Sequence, residues 1–179
     1  MTGGLMQKSA GDFYWRQRSG LPAFRALIRA MEAELFHSIV QIKGPVLDLG
    51  CGDGHFAETL SFYRAETNQL KLDVGIDLSP ASLLEAKSRK MYANLERADA
   101  TKLPFANEAF ETVISNCVVE HIPGVELVFQ ETFRVLRHGG KFVLSVPTDR
   151  LNDALTITRI LKGLGLTSLA ERYKAWFTR

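Results

Sequence analysis

The stretch "VLDLGCGDGHFAETL", residues 46–60, constrains the fold more than any other. A short apolar run carries one aspartate, Asp48, and gives way to Gly50, Gly52 and Gly54 at alternate positions. Phe56, Leu60 and Tyr63 then recur on one helical face. A continuous apolar run of this length suits a strand buried on both faces, as in a parallel sheet. Parallel neighbours need long crossovers, usually helical, and the rest of the chain supplies them. "LDVGID" reads as a second strand, and Ser79 followed by Pro80 starts a helix that runs to about Lys90. "NLERADA", "FETVISNC" and "KFVLSVP" read as third, fourth and fifth strands, with "VELVFQETFRVLR" a helix ended by Gly139. Upstream, Phe24, Leu27, Ile28, Met31, Leu35 and Ile39 predict one helix over residues 22–42. The alternation predicts an α/β fold with a doubly wound, mainly parallel sheet.

A chain of 179 residues, 46% hydrophobic, has room for one sizeable core. No apolar stretch approaches the ~20 residues that span a bilayer, and the first fifteen residues lack the apolar middle of a signal peptide. Cys51 and Cys117 lack metal-ligand spacing and are too few for a disulfide framework. A cytoplasmic protein without a metal site is expected. The net charge of +2 is unevenly placed. Residues 1–30 hold five basic and one acidic side chain, residues 150–179 six and two, and the remainder eleven and seventeen. The basic ends fit either contact with an anionic surface, whether a membrane's lipid headgroups or nucleic acid, or the solvated faces of terminal helices.

In an open parallel sheet, ligands bind beyond the carboxyl ends of the strands, where strand order reverses. The glycine loop falls at that point. Its residues let the backbone turn tightly and approach a ligand closely. The dinucleotide fingerprint G-x-G-x-x-G needs a third glycine where His55 stands, and the phosphate loop G-x-x-x-x-G-K-[ST] is absent. A nucleotide-dependent dehydrogenase is therefore a poor fit.

An acid two residues before the first of the alternating glycines resembles the first motif of the class I S-adenosylmethionine-dependent methyltransferases, Rossmann-like enzymes. The small-molecule type with a D-L-G-C-G loop is the nearest likeness. "GIDLS", "ADATKLPF", "FETVISNCVVEHI" and "FRVLRHGGKFVLSVP" follow in the family's order, over about residues 46–147. The resemblance implies that S-adenosylmethionine is the cofactor and that Asp48 stands near its methionine amino group. The backbone of Gly50, Cys51, Gly52 and Gly54 would run beneath it. Asp77 would accept from both ribose hydroxyls, a match of two donors to two oxygens. Asp99 would take the adenine amino group, with Ala100 at the ring edge and Leu78 on a ring face. Asn116 and Val118 would lie under the methionine part. Nothing in the sequence supplies a partner that would make Cys51 a reactive thiol.

A sulfonium methyl is already activated, so transfer chiefly demands alignment. Where an acceptor must lose a proton, His121 and Glu120 in "VVEHIP" are the candidate bases, and a histidine packed beside the cofactor is the other reading of His121. In related enzymes an N-terminal segment folds over the cofactor. Residues 1–45 would form that helical lid, with Tyr14 or Trp15 over the methionine end, or with the aromatics anchoring the helix to the sheet. Residues 148–179 read as a helical segment, with a capping box from Ser168 to Glu171, and supply no sixth or seventh strand such as the family adds. The fifth strand would then be an apolar edge, explained by a shortened chain, by shielding helices, or by another subunit in an oligomer. The implied function is methyl transfer to a small-molecule or lipid-like acceptor. The alternative is a cofactor-binding or scaffolding module without catalysis. The amino-directed N-P-P-Y string of DNA enzymes is absent where "NCVVEH" stands, so the sequence carries no strong nucleic-acid signal and nucleic-acid methylation is the less favoured reading.

Overall fold

The computed structural model describes residues 11, 14–15, 23–39, 42–63, 71–147, 162–169 and 171–172. The chain divides into two units, Met1–Ser145 and Val146–Arg179.

The first unit runs α1 (Ala23–Ile39), β1 (Val46–Leu49), α2 (His55–Tyr63), β2 (Leu72–Asp77), α3 (Pro80–Arg89), β3 (Tyr92–Arg97) and β4 (Phe110–Asn116). A single 3-10 turn (Val119–His121), α4 (Val125–Val135) and β5 (Leu136–Ser145) complete it. The strands form one sheet in the order β3-β2-β1-β4-β5, and all pairings are parallel. The chain starts at the centre and winds outward both ways, so the order reverses at β1. This is the Rossmann-like α/β architecture expected of the class I methyltransferases, with five strands among the described residues.

Alternation along β1 assigns its side chains to two cores. Val46 joins Phe36, Phe56, Leu60, Leu72 and Tyr92 on one face. Leu47 and Leu49 join Ile76, Val113, Val128 and Val135 on the other. Because successive strand residues point to opposite faces, Asp48 shares the face of Val46 and is buried with it, 2% exposed. On that face α1 turns Ala26, Ala30, Ala33 and Phe36 inward, and the Phe36 and Phe56 rings meet edge to face at 4.9 Å.

Several boundaries differ from the sequence reading. The α1 helix ends at Ile39, while Ile42 packs into the core beyond it. β3 starts at Tyr92 and releases Ala98 and Asp99 from the strand. The α4 helix ends at Val135 rather than at Gly139, because Leu136 already adopts an extended backbone and pairs with Phe110. The β4–β5 register then jumps, and Thr112 faces Lys141. The intervening Gly139, at φ +79°, forms part of an irregularity in the strand rather than a helix cap. The start of α3 follows its sequence signal: Ser79 accepts from the Ser82 backbone N–H at 3.2 Å, with Pro80 opening the helix.

In the second unit a turn closes at Gly165, whose N–H reaches the Lys162 carbonyl at 3.0 Å. The following helical turn already includes residue 167, so Ser168 lies inside it rather than capping it. The helix expected over residues 151–161 and the aromatic set Tyr173, Trp176 and Phe177 lie outside the described residues, as do Phe13, Arg16 and Arg18. No helix among the described residues is long and apolar enough to cross a membrane.

Candidate functional site

The loop after β1 keeps one further hydrogen bond to β2, the Cys51 N–H donating to the Ile76 carbonyl at 2.8 Å, and then turns back. Gly50, Gly52 and Gly54 all take positive φ, at +74°, +53° and +76°, a region that disfavours a Cβ. Their surroundings differ. A Cβ on Gly50 would stand 2.4 Å from Val118 Cγ1, and one on Gly54 3.1 Å from the Ala86 backbone, whereas one on Gly52 would meet nothing within 4 Å. Gly50 therefore lets the segment after β4 close against the loop. Gly54 lets α3 close against it from behind and is outside both cavity linings described below.

Asp77, the last residue of β2, joins two segments. Its Oδ2 accepts from the Gly52 N–H at 3.0 Å and its Oδ1 from the Ser79 N–H at 2.8 Å. Arg89 grips the loop from α3, donating to the Asp53 carbonyl at 2.8 Å, to Asp53 Oδ2 at 3.1 Å and to Glu58 Oε2 at 2.6 Å.

Two adjoining cavities open at this end of the sheet, of about 330 and 260 Å³, and share Gly50, Asp77, Cys117 and Val118 as a common wall. The first is polar. Asp48, Gly52, Asn116, Arg29 and His55 line it. The second is mostly apolar, lined by Leu49, Ile76, Leu78, Ala98, Ala100 and Ile122, with Asp99 and His121. The structure thus brings together Asp48, Gly50, Cys51, Gly52, Asp77, Asn116 and Val118 around one half, and Leu78, Asp99 and Ala100 around the other.

Burial dominates the electrostatics of the first half. Asp48 has its carboxyl pushed up to about 7, chiefly by desolvation and further by the Asp77 charge, against the Tyr92 hydroxyl, which donates to Asp48 Oδ2 at 2.6 Å. Burial also raises the Cys51 thiol, helped by Asp48 and Asp77, so it stays protonated. His55 is lowered by burial and is neutral near pH 7. In the second half, Asp99 is exposed and its carboxyl is held below the ordinary range by the Thr101 N–H and hydroxyl, both on Oδ1 at 2.8 Å.

Glu32 on α1 ties the helix to the far wall. Its carboxylate accepts from Arg29 at 2.6 Å, from Asn116 Nδ2 at 3.2 Å and from Cys117 Sγ at 3.4 Å. Ser145 Oγ donates to Asn116 Oδ1, which fixes the amide from the other side. Cys117 itself has φ +55°, and its N–H bonds to the Ser145 carbonyl at 2.9 Å.

Two expected groups stand apart from the polar half. The His121 side chain is 76% exposed, lies 3.8 Å from Glu120 and lines the second cavity together with Asp99 and Ala100. Tyr14 stacks edge to face on Trp15 at 5.3 Å and lines neither cavity. The sequence reading missed Arg29, His55, Arg89 and Tyr92. An Arg-x-x-Glu spacing on the α1 face was a visible signal for Arg29. Tyr92 had none, because its partner is 44 residues away in the chain.

Residues 47–144 match the family model described as a methyltransferase domain. The malonyl-[acyl-carrier protein] O-methyltransferase of Legionella pneumophila is 36% identical over 98 residues, covering 53% of this chain and 33% of that protein. The arsenite methyltransferase of Halobacterium salinarum is 32% identical over 105 residues, 56% of this chain and 26% of that one. Among solved structures, an S-adenosylmethionine-dependent methyltransferase from Mesorhizobium loti is similar at a TM-score of 0.52 and 27% identity, covering 63% of this chain and 51% of that chain. The matched part thus spans about a third or less of these curated relatives.

Proposed function

The chain belongs to the class I S-adenosylmethionine-dependent methyltransferases, and we propose that it binds S-adenosylmethionine across the two cavities and transfers its methyl group to a small-molecule or lipid-like acceptor. One observation carries this reading. A polar half with a buried carboxylate and an apolar half with an exposed leucine meet at a bare glycine turn and a strand-end aspartate. An amino acid joined through a sugar to a flat base has the same polarity sequence.

The residues present fit such a group. The open space beside Gly52 leaves the loop backbone free to be covered. Asp48, once ionised, and Arg29 offer opposite charges at the polar end, suited to an ammonium and a carboxylate. Each Asp77 oxygen holds one backbone N–H and keeps a lone pair for a ribose hydroxyl. Leu78, 58% exposed, offers a face for a purine, and Asp99, whose two internal bonds both fall on Oδ1, has Oδ2 for an amino group. His121 lines this second cavity and not the first, which supports a wall role over that of a base at the methyl. When bound, S-adenosylmethionine supplies a methyl on a positively charged sulfur, open to in-line displacement. This chain's residues then contribute alignment and exclusion of water. The Glu32 contacts to Asn116 and Cys117 support α1 as part of a lid over the polar half. The free thiols of Cys51 and Cys117 support a reducing, cytoplasmic setting.

Calorimetric titration with S-adenosylhomocysteine, followed by transfer of a labelled methyl to a panel of small acids, amines and lipid-like phenols, tests both halves of the reading. Absence of binding removes the cofactor assignment. Binding without transfer to any acceptor favours a module that does no chemistry.

A further inference from the structure

Tyr92 opens β3, two strands away from Asp48, yet its ring runs beneath β2 to reach that carboxylate. The passage exists because two positions lack a side chain. A Cβ on Gly75 would stand 2.8 Å from Tyr92 Cδ1 and Cε1, and a Cβ on Gly54 would stand 3.3 Å from Cε2. Gly75 is the register partner of Asp48 in the neighbouring strand. The ring is therefore held between two glycines of separate elements, with its hydroxyl 2.6 Å from Asp48 Oδ2 at the floor of the polar cavity. Gly54 also serves α3 and its own left-handed backbone, but Gly75 is bare where the Tyr92 ring crosses, and core packing alone does not require the hydroxyl.

We propose that Tyr92 is a positioning residue, whose hydroxyl orients the Asp48 carboxylate and keeps it available in its charged form to an ammonium group in the polar cavity. The inference rests on the reading of that cavity as the methionine end of an S-adenosyl site. Burial alone favours a neutral Asp48. A hydrogen bond donated to the carboxylate opposes that tendency, and the ligand's positive charge completes the reversal. Ligand binding at or below neutral pH then drives a proton off Asp48, so affinity rises with pH until Asp48 ionises unaided. Among the described residues, the other charged or titratable groups lining this cavity are Arg29 from α1, Cys51 and Asp53 from the loop, His55 from α2, Asp77 from β2 and Cys117 after β4, with Glu32 of α1 bonded to Arg29 and Cys117 behind them. His55 is the one among them able to produce a similar pH dependence, and removal of the Asp48 charge separates the two.

Affinity for S-adenosylhomocysteine is measured by calorimetry from pH 5.5 to 8 in the full chain, in Tyr92→Phe, in Asp48→Asn and in the double variant. Tyr92→Phe keeps the ring in its slot. It is expected to weaken binding roughly five- to twentyfold at neutral pH and to move the midpoint of the pH dependence about one unit alkaline. In the Asp48→Asn background the same change is expected to do nothing. A wild-type affinity and midpoint in Tyr92→Phe, or an undiminished effect in the double variant, overturns the assignment while leaving the S-adenosyl site intact. No binding by the unaltered chain at any pH overturns the site and the assignment together. Should Tyr92→Phe fail to fold, the ring-carbon Cζ resonance of Tyr92 in the unaltered chain serves instead. It is expected to titrate with the affinity midpoint and to stay fixed in Asp48→Asn; a flat resonance in the unaltered chain overturns the proposal.

Discussion

Gly50 and Gly52 stand two residues apart, and alanine at each separates two physical costs. Both sit at positive φ, where a Cβ costs about 1–2 kcal/mol against the carbonyl. At Gly52 nothing lies within 4 Å of the added methyl, so that strain is the whole expected loss. At Gly50 the methyl would meet Val118 Cγ1 at 2.4 Å, Cγ2 at 2.6 Å and Cβ at 2.9 Å. All three branch atoms are too close, so no rotation about χ1 relieves the contact, and overpacking adds about 1–3 kcal/mol. Gly50→Ala should therefore lose roughly 2–5 kcal/mol, on the order of 10 °C in melting temperature for a chain of this size. Urea denaturation of the two variants, and of Gly50→Ala combined with Val118→Ala, checks the partition. The combined variant should recover most of the excess. The ligand response should run in the opposite order for its size, with Gly52→Ala losing only the backbone strain yet binding S-adenosylhomocysteine at least about tenfold more weakly, because its methyl enters the space left for the ligand. Equal stability losses at the two glycines, or a combined variant no better than Gly50→Ala, would refute the steric reasoning.

Asp77→Asn replaces one acceptor oxygen with a donor facing either the Gly52 or the Ser79 N–H; a loss of about 1–3 kcal/mol in S-adenosylhomocysteine affinity is expected by titration, and unchanged affinity removes the ribose assignment. Asp48 is held near 7 when folded and near its ordinary 3.8 when unfolded. Its contribution to stability is thus full below about pH 4 and falls away as pH rises to about 7. Asp48→Asn, which keeps an acceptor for Tyr92, should gain on the parent across that window by up to about 4 kcal/mol in denaturation midpoints taken at several pH values. A constant gap between the two would deny the burial argument. Asp99→Ala should lower affinity for adenosine-bearing ligands with little change in melting temperature, since the side chain is exposed and bonds only its own turn. A large stability loss would mean that Asp99 holds the fold instead.

The parts of the fold that the sequence announced were those with local causes. The apolar run of β1, the Ser79–Pro80 start of α3 and the positive-φ glycines each follow from a few adjacent residues, and they placed the loop and its strand-end acids correctly. Contacts across the sheet left no such trace. That Asp48 would be buried against Tyr92 depends on β1 lying between β2 and β4, and on Gly75 being empty. The Glu32 contacts to Asn116 and Cys117 span more than eighty residues of chain. Gly139 was misjudged because a positive-φ glycine ends a helix and kinks a strand equally well; the pairing of Phe110 with Leu136 decided between them. Arg134 illustrates the same difficulty. It holds the Leu103 and Phe105 carbonyls at 2.9 and 2.7 Å and so anchors the segment after Asp99, a task that no feature of its own helix discloses.

The irregularity between Leu136 and Lys141 sits where the strands begin, at the opposite end of the sheet from the cavities. A Cβ on Gly139 would point into open space. Extra chain inserted there meets solvent and lengthens an already interrupted pairing, so this turn offers a point of attachment for a fluorescent reporter or an affinity handle that leaves the ligand-facing rim untouched.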